Sequence, residues 1–313
     1  MTALRRSALF FMAIGLLIYG GVHYASERLL YRTGDTNPFF KIETAEHEVY
    51  DWVILGASHA MPLDFADFNA HMEQKTGLRI LNLASPGAGP LYNRFVFEYF
   101  LLKHQTANLL YIVDSFAFYS RSWNEARFAD AKLIGRTPFR LELARRFWEY
   151  SIAESIDPRA ALAYVTGFAK INNRERFKRD IWEGEDQFNR TYRPSTSATR
   201  KRIAYLYPDN APDRAALARY LQKFATFVDT AQRTGIAVFV IKMPMPAQFY
   251  RLLPNEAAFD EALSGVLTER QVPIRDFSLT MDESRFYFDT DHLNRLGLTQ
   301  FLDRHLRVIL AGK

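Results

Sequence analysis

Asp51-Trp52-Val53-Ile54-Leu55-Gly56-Ala57-Ser58-His59 decides the architecture. An apolar run cut off by small residues predicts a short buried strand over Asp51–Leu55, closed by a tight turn. Four further runs read the same way. Arg79–Leu83 is closed by Ala84-Ser85-Pro86-Gly87-Ala88-Gly89, and Asn108–Val113 ends at Asp114-Ser115. Ile236–Lys242 is ended by Met243-Pro244-Met245-Pro246, and Pro273–Phe277 is the shortest. Helical patterns lie between and after them. Leu91–Lys103 is one, Arg214–Thr234 is stopped by Gly235, and Arg295–Leu310 has Asn294 placed to cap it. Uniformly apolar strands alternating with helices predict an α/β fold with a mainly parallel five-stranded sheet covered on both faces. Ligand sites in such sheets lie outside the carboxyl ends of the strands. The residues that close the strands are therefore the candidates for chemistry.

The chain has 313 residues, 48% hydrophobic, enough to bury a sizeable core and too apolar for a disordered chain. It contains no cysteine, which excludes disulfides, thiolate-bound zinc, iron–sulfur clusters and a thiol nucleophile. Ser7–Ala25 carries no charged side chain over nineteen residues. As a helix it would be about 28 Å long, close to the thickness of a bilayer's hydrocarbon core. Arg5 and Arg6 precede it, so the positive-inside rule keeps the N-terminus in the cytoplasm and exports the chain beyond Ala25. His23 and Tyr24 make a poor cleavage site, which favours an uncleaved anchor over a signal peptide. The organisation expected is an anchor over residues 1–30, then one exported domain over 31–313 on the outer face of a bacterial inner membrane. Residues 121–202 interrupt the alternation with helical patterns, many aromatics and 18 Lys/Arg against 11 Asp/Glu. That stretch is a solvated basic insertion, or a cap whose Arg and aromatic side chains face a polymer or lipid headgroups. Nucleic acid is not expected as a partner outside the cytoplasm.

Ser58 follows Gly56 at the end of the first strand, where a tight turn exposes its hydroxyl and a following helix would aim backbone amides at the same point. A serine hydroxyl needs a base, and the base needs a carboxylate to fix its tautomer. Asp289-Thr290-Asp291-His292-Leu293-Asn294 can supply both, since D-x-x-H puts Asp289 within a turn of His292. Metal ligation by Asp289, Asp291 and His292 is the weaker alternative, and neither metal nor cofactor is expected. Gly87 or Gly89 would let a backbone N–H approach a developing oxyanion without interference from a Cβ. His59 reads as a wall residue pointing away from Ser58, while His47, His71, His104 and His305 have no partner motif. Lys242–Pro246 closes the fourth strand on the same edge.

Together these elements resemble the SGNH (GDSL-like) hydrolase superfamily. Gly56-Ala57-Ser58-His59 matches its first block, Asn82 with Gly87 or Gly89 its second, and Asp289–Leu293 its last. The resemblance covers roughly residues 50–120 and 203–311. It implies a flavodoxin-like three-layer sandwich, with Ser58, His292 and Asp289 acting on ester or acyl groups. One block departs. Where the family has G-x-N-D, with an Asn that donates to the oxyanion, this chain has Val113-Asp114-Ser115-Phe116, and Ser115 is the remaining donor candidate. The departure looks more like the membrane-anchored divergent group that includes alginate and peptidoglycan O-acetylation proteins and a teichoic-acid D-alanylation protein. That resemblance implies an acylated polysaccharide or lipid-linked glycan as substrate. It also leaves open a non-catalytic role beside a membrane-bound O-acyltransferase.

Overall fold

The computed structural model describes residues 2–34, 36–182, 184–207 and 213–312. The chain forms two compact units. One joins Thr44–Arg127 to Trp182–Lys313, and the other joins Met1–Glu43 to Phe128–Ile181.

The larger unit is an α/β sandwich. Its strands are β1 (Val49–Gly56), β2 (Ile80–Asn82), β3 (Gln105–Ile112), β4 (Ala237–Lys242) and β5 (Ile274–Asp276). All pair in parallel in the order β2-β1-β3-β4-β5, the flavodoxin-like arrangement. Every expected strand forms, with ends shifted by at most three residues. β1 starts earlier than its apolar run because Val49 and Tyr50 pair with Gln105 and Thr106 of β3. Both edge strands are only three residues long, which limits the unpaired edge offered to other chains.

Both faces of the sheet are covered, which is why the strands read as apolar without alternation. On one face Tyr111 of β3 packs on Phe224 of the Arg214–Arg233 helix, and Phe227 of that helix meets Phe97 of the Pro90–Lys103 helix. On the other, Trp52, Ile54, Leu110, Ile112 and Ile241 share a core with Phe68, Met72, Phe301 and Leu306. Asn294 caps the C-terminal helix as expected, accepting from Gly297 N–H at 2.9 Å. That helix runs over Arg295–Leu310 as expected, with a π turn over Leu302–Leu306 inside it. One expectation needs correcting. No α-helix starts at Ser58: the chain makes a 3₁₀ turn over Met61–Asp64, with Pro62 in it, and the next α-helix is Phe68–Thr76.

The smaller unit is helical and contains no strand among the described residues. Its N-terminal helix, Thr2–Thr33, includes the apolar stretch and is long and apolar enough to cross a membrane. Leu9, Phe10, Phe11, Leu16, Leu17 and Ile18 are all exposed along it. The rest is organised on aromatic packing, with Phe147 stacked on Tyr164 at 5.1 Å and Phe128 stacked on Tyr150 at 5.9 Å. Polar ties close it. Lys170 pairs with Glu27, Arg140 with Glu43, and Arg136 donates to Thr33 and to the carbonyls of Glu175 and Lys178.

Candidate active site

The carboxyl edge of the sheet brings Ser58 and the 289–292 loop together. Beyond β1 the backbone turns at once, with Ala60 N–H bonded to Ala57 carbonyl and Met61 N–H to Ser58 carbonyl. Ser58 stays partly exposed in this turn, while Ala57 and His59 on either side are buried. The opposing loop is tied at its base by Phe288 N–H to His292 carbonyl at 3.1 Å. Within it Asp289 is the organiser. Its Oδ1 accepts from the backbone N–H of Asp291 and of His292, and its carboxylate holds His292 Nδ1 at 2.8 Å. The His292 ring stacks on Phe288 at 5.6 Å with an interplanar angle of 10°. A carboxylate on Nδ1 places the ring proton there and leaves Nε2 as an acceptor.

Arg202 links that acceptor to Ser58. Its Nη2 lies 3.3 Å from Ser58 Oγ and 3.5 Å from His292 Nε2, while its Nε donates to Asp291 Oδ2 at 3.1 Å. One guanidinium nitrogen thus touches both the candidate nucleophile and the candidate base. Sequence reasoning did not single out Arg202. It is one of 18 basic residues in 121–202, and only the Thr196–Leu206 helix that carries it reveals its position.

Below this layer lies a fully buried ionic pair that sequence reasoning also missed. His59 Nδ1 lies 2.5 Å from Asp114 Oδ1, and its Nε2 lies 3.4 Å from Asp291 Oδ2. The His59 ring sits 4.8 Å from the His292 ring, so it does not point away from the site as expected. Burial alone would push its pKa down, but Asp114 and Asp291 outweigh burial and raise it to about 10. Burial likewise disfavours the charged form of Asp291, yet Arg202, His292 and His59 together hold its carboxyl well below the usual range. Two cations thus face two carboxylates under Ser58, which satisfies the rule that buried charges persist only when paired. The local signal for this layer was the odd Val113-Asp114 after β3, in the place where a hydrogen-bond donor was expected.

The remaining candidates divide. Gly87 has φ +59°, and a Cβ there would lie 2.3 Å from the Trp123 ring, so only glycine fits at that turn. Gly89 N–H is engaged by Trp123 carbonyl at 2.6 Å and is not available to an oxyanion. Ser115 is also corrected. Its hydroxyl donates to Glu256 Oε2 at 2.5 Å and meets Tyr207 OH at 2.8 Å, inside a buried cluster rather than toward Ser58. The same cluster takes up Lys242, whose ammonium pairs with Glu256 at 2.6 Å and Asp260 at 2.8 Å. A cation could be considered for His59, Asp291 and His292, whose ligand atoms lie within 4.8 Å of one another. The Arg202 guanidinium, in contact with two of the three, puts a positive charge where such an ion would bind.

No protein-family model and no curated protein matches this chain. Among solved structures the chain is similar to a protein of Bacteroides fragilis that carries the provisional name of an acylhydrolase. The similarity covers 87% of this chain and 93% of that one, at 8% identity and a TM-score of 0.42.

Proposed function

We propose that this chain is a membrane-anchored serine acyl esterase or O-acyltransferase acting on acyl groups of a cell-envelope polysaccharide or lipid-linked glycan. One observation carries the reading. His292 is clamped by Asp289 through Nδ1, and its Nε2 reaches the same guanidinium nitrogen as the Ser58 hydroxyl. Ser58 Oγ attacks the acyl carbon while His292 Nε2 takes the hydroxyl proton and returns it to the leaving alcohol. The acyl group on Ser58 then passes to water or to a sugar hydroxyl. Asp289 fixes the imidazole and stabilises the imidazolium that forms.

Arg202 fills the role left vacant by the absent Asn. With Gly89 N–H and Ser115 Oγ engaged elsewhere, the guanidinium, 3.3 Å from Ser58 Oγ, is the charged donor in contact with the reacting atom, and Ser58 N–H and Gly87 N–H would complete the set. Its contact with Ser58 Oγ in the resting site gives way to the carbonyl oxygen when substrate enters. The polysaccharide or glycan acceptor is carried over from the resemblance to the membrane-anchored group. The N-terminal helix, with Arg5 and Arg6 ahead of it, would hold the protein in the inner membrane as a single pass with the catalytic unit outside the cytoplasm.

A serine-directed fluorophosphonate applied to the purified full chain tests this directly. Labelling that disappears in Ser58→Ala and in His292→Ala is expected. An unlabelled wild type that hydrolyses acetyl esters as fast as Ser58→Ala overturns the reading. A second reading, a non-catalytic partner of a membrane-bound O-acyltransferase, draws on Asp114, which is paired with His59 where the family has an oxyanion donor. Absence of labelling, together with stable co-purification of a multi-spanning protein, would favour it.

A further inference from the structure

The N-terminal helix is not alone at the level of its own apolar stretch. Contacts at four positions within the smaller unit form a ladder along it. Tyr19 OH donates to Thr166 carbonyl at 2.9 Å. His23 packs against Gly167, where a Cβ would come within 2.6 Å of the ring. Glu27 pairs with Lys170, and at the far end Thr33 carbonyl accepts from Asp180 N–H at 2.7 Å while Thr33 Oγ1 bonds to Arg176 carbonyl. The order is monotonic, so position along the helix reports height for the segment packed on it.

The lowest rung lies inside the uncharged stretch. Tyr19 precedes Ala25 by six residues, about 9 Å at the helical rise. An amphipathic element at a membrane surface buries its apolar face by roughly 5–10 Å. Thr166 is held at such a depth, and the side chains around it are apolar and open. Leu162 and Val165 on the Pro158–Val165 helix, and Phe168 at the start of the Phe168–Ile171 helix, are 53%, 46% and 59% exposed. Exposed apolar groups held level with lipid-facing residues of a spanning helix have lipid as their natural solvent. We propose that this corner, Leu162–Phe168, is a second membrane-contacting element that sits in the boundary between headgroups and acyl chains beside the anchor. The assignment rests on reading the N-terminal helix as a membrane span. Phe177 is the internal contrast. It is more exposed than Phe168, but it comes after Arg176 at the Thr33 rung, fourteen residues or about 21 Å above Tyr19, and belongs in water.

The absence of native cysteines makes the test specific. Full-length Leu17→Cys, Phe168→Cys and Phe177→Cys, each labelled with an environment-sensitive fluorophore, are reconstituted in protein-free phosphatidylcholine/phosphatidylglycerol vesicles. Some of the lipids carry a nitroxide near the top of the acyl chain. The expected result is strong quenching and a blue-shifted emission at positions 17 and 168, with neither at 177. Quenching at 17 alone overturns the corner while leaving the anchor intact, and a membrane-embedded protein would then be what covers it. Quenching at none of the three overturns the anchor and the corner together. Equal quenching at 168 and 177 also overturns the proposal, because it would mean that the ladder does not report depth.

Discussion

Two serines stand at the carboxyl edge of the same sheet, Ser58 just beyond β1 and Ser115 just beyond β3. Both are small hydroxyls after an apolar strand. Ser115 lies within a closed cluster, its oxygen engaged by Glu256 and Tyr207, with Lys242 neutralising the carboxylate from the other side. Ser58 is partly open, and its surroundings contain a tautomer-fixed imidazole and a guanidinium. Position on the fold therefore does not by itself mark a candidate nucleophile. The two serines differ in whether an imidazole held by a carboxylate lies nearby and whether the hydroxyl is left partly open.

The largest contrast expected is in turnover. Ser58→Ala or His292→Ala should lower kcat for ester hydrolysis by about 10⁴-fold or more, since members of such a unit fail together. Ser115→Ala should leave kcat within a few-fold, and a comparable loss from Ser115→Ala would erase the distinction between the two serines. Next comes stability. Lys242→Met leaves Glu256 buried without its cation and should cost about 3–5 kcal/mol in urea unfolding. A neutral outcome would show that the Ser115 cluster is not an ionic one. Arg202→Ala should reduce kcat by about 10²–10³-fold, with Arg202→Lys recovering part of it, as expected for loss of an oxyanion donor. If KM alone rises, Arg202 binds substrate without serving the transition state.

The pH dependence of stability probes the layer under Ser58. His59 has a folded pKa of about 10, above its unfolded value near 6.5. Its contribution is fully present below about 6.5 and declines as pH rises toward 10. Thermal midpoints should therefore fall across that window in the wild type and fall less steeply in His59→Gln. An unchanged slope would mean that His59 does not carry its proton in the fold. The smallest effect is that of Ser115→Ala on stability, about 1 kcal/mol for one donor lost to Glu256.

Much of the fold was legible because buried parallel strands leave an unmistakable trace. Each apolar run became a strand, and Asn294 capped the helix it precedes. The 289–292 loop was legible too, because Asp289 and His292 interact within one turn of chain. The rest depends on groups distant in sequence. Arg202 reaches Ser58 across 144 positions and had no local pattern to mark it. Asp114 looked like a lost oxyanion donor, and only the fold shows that it is the counter-charge of His59, 55 positions earlier. Ser115 and Gly89 failed as donors for the converse reason. Their hydrogen-bonding capacity is taken by Glu256 and by Trp123, which spacing along the chain does not disclose.

The attachment of Arg202 has a consequence for how this scaffold can diverge. The guanidinium comes from the Thr196–Leu206 helix, outside the strand-end loops that supply Ser58, Asp289 and His292. On the proposed mechanism, a change in that one peripheral segment would retune reactivity while the sheet, Ser58 and His292 stayed as they are. Chimeras that exchange only this helix between related chains would then inherit the donor's rate profile on the recipient's framework.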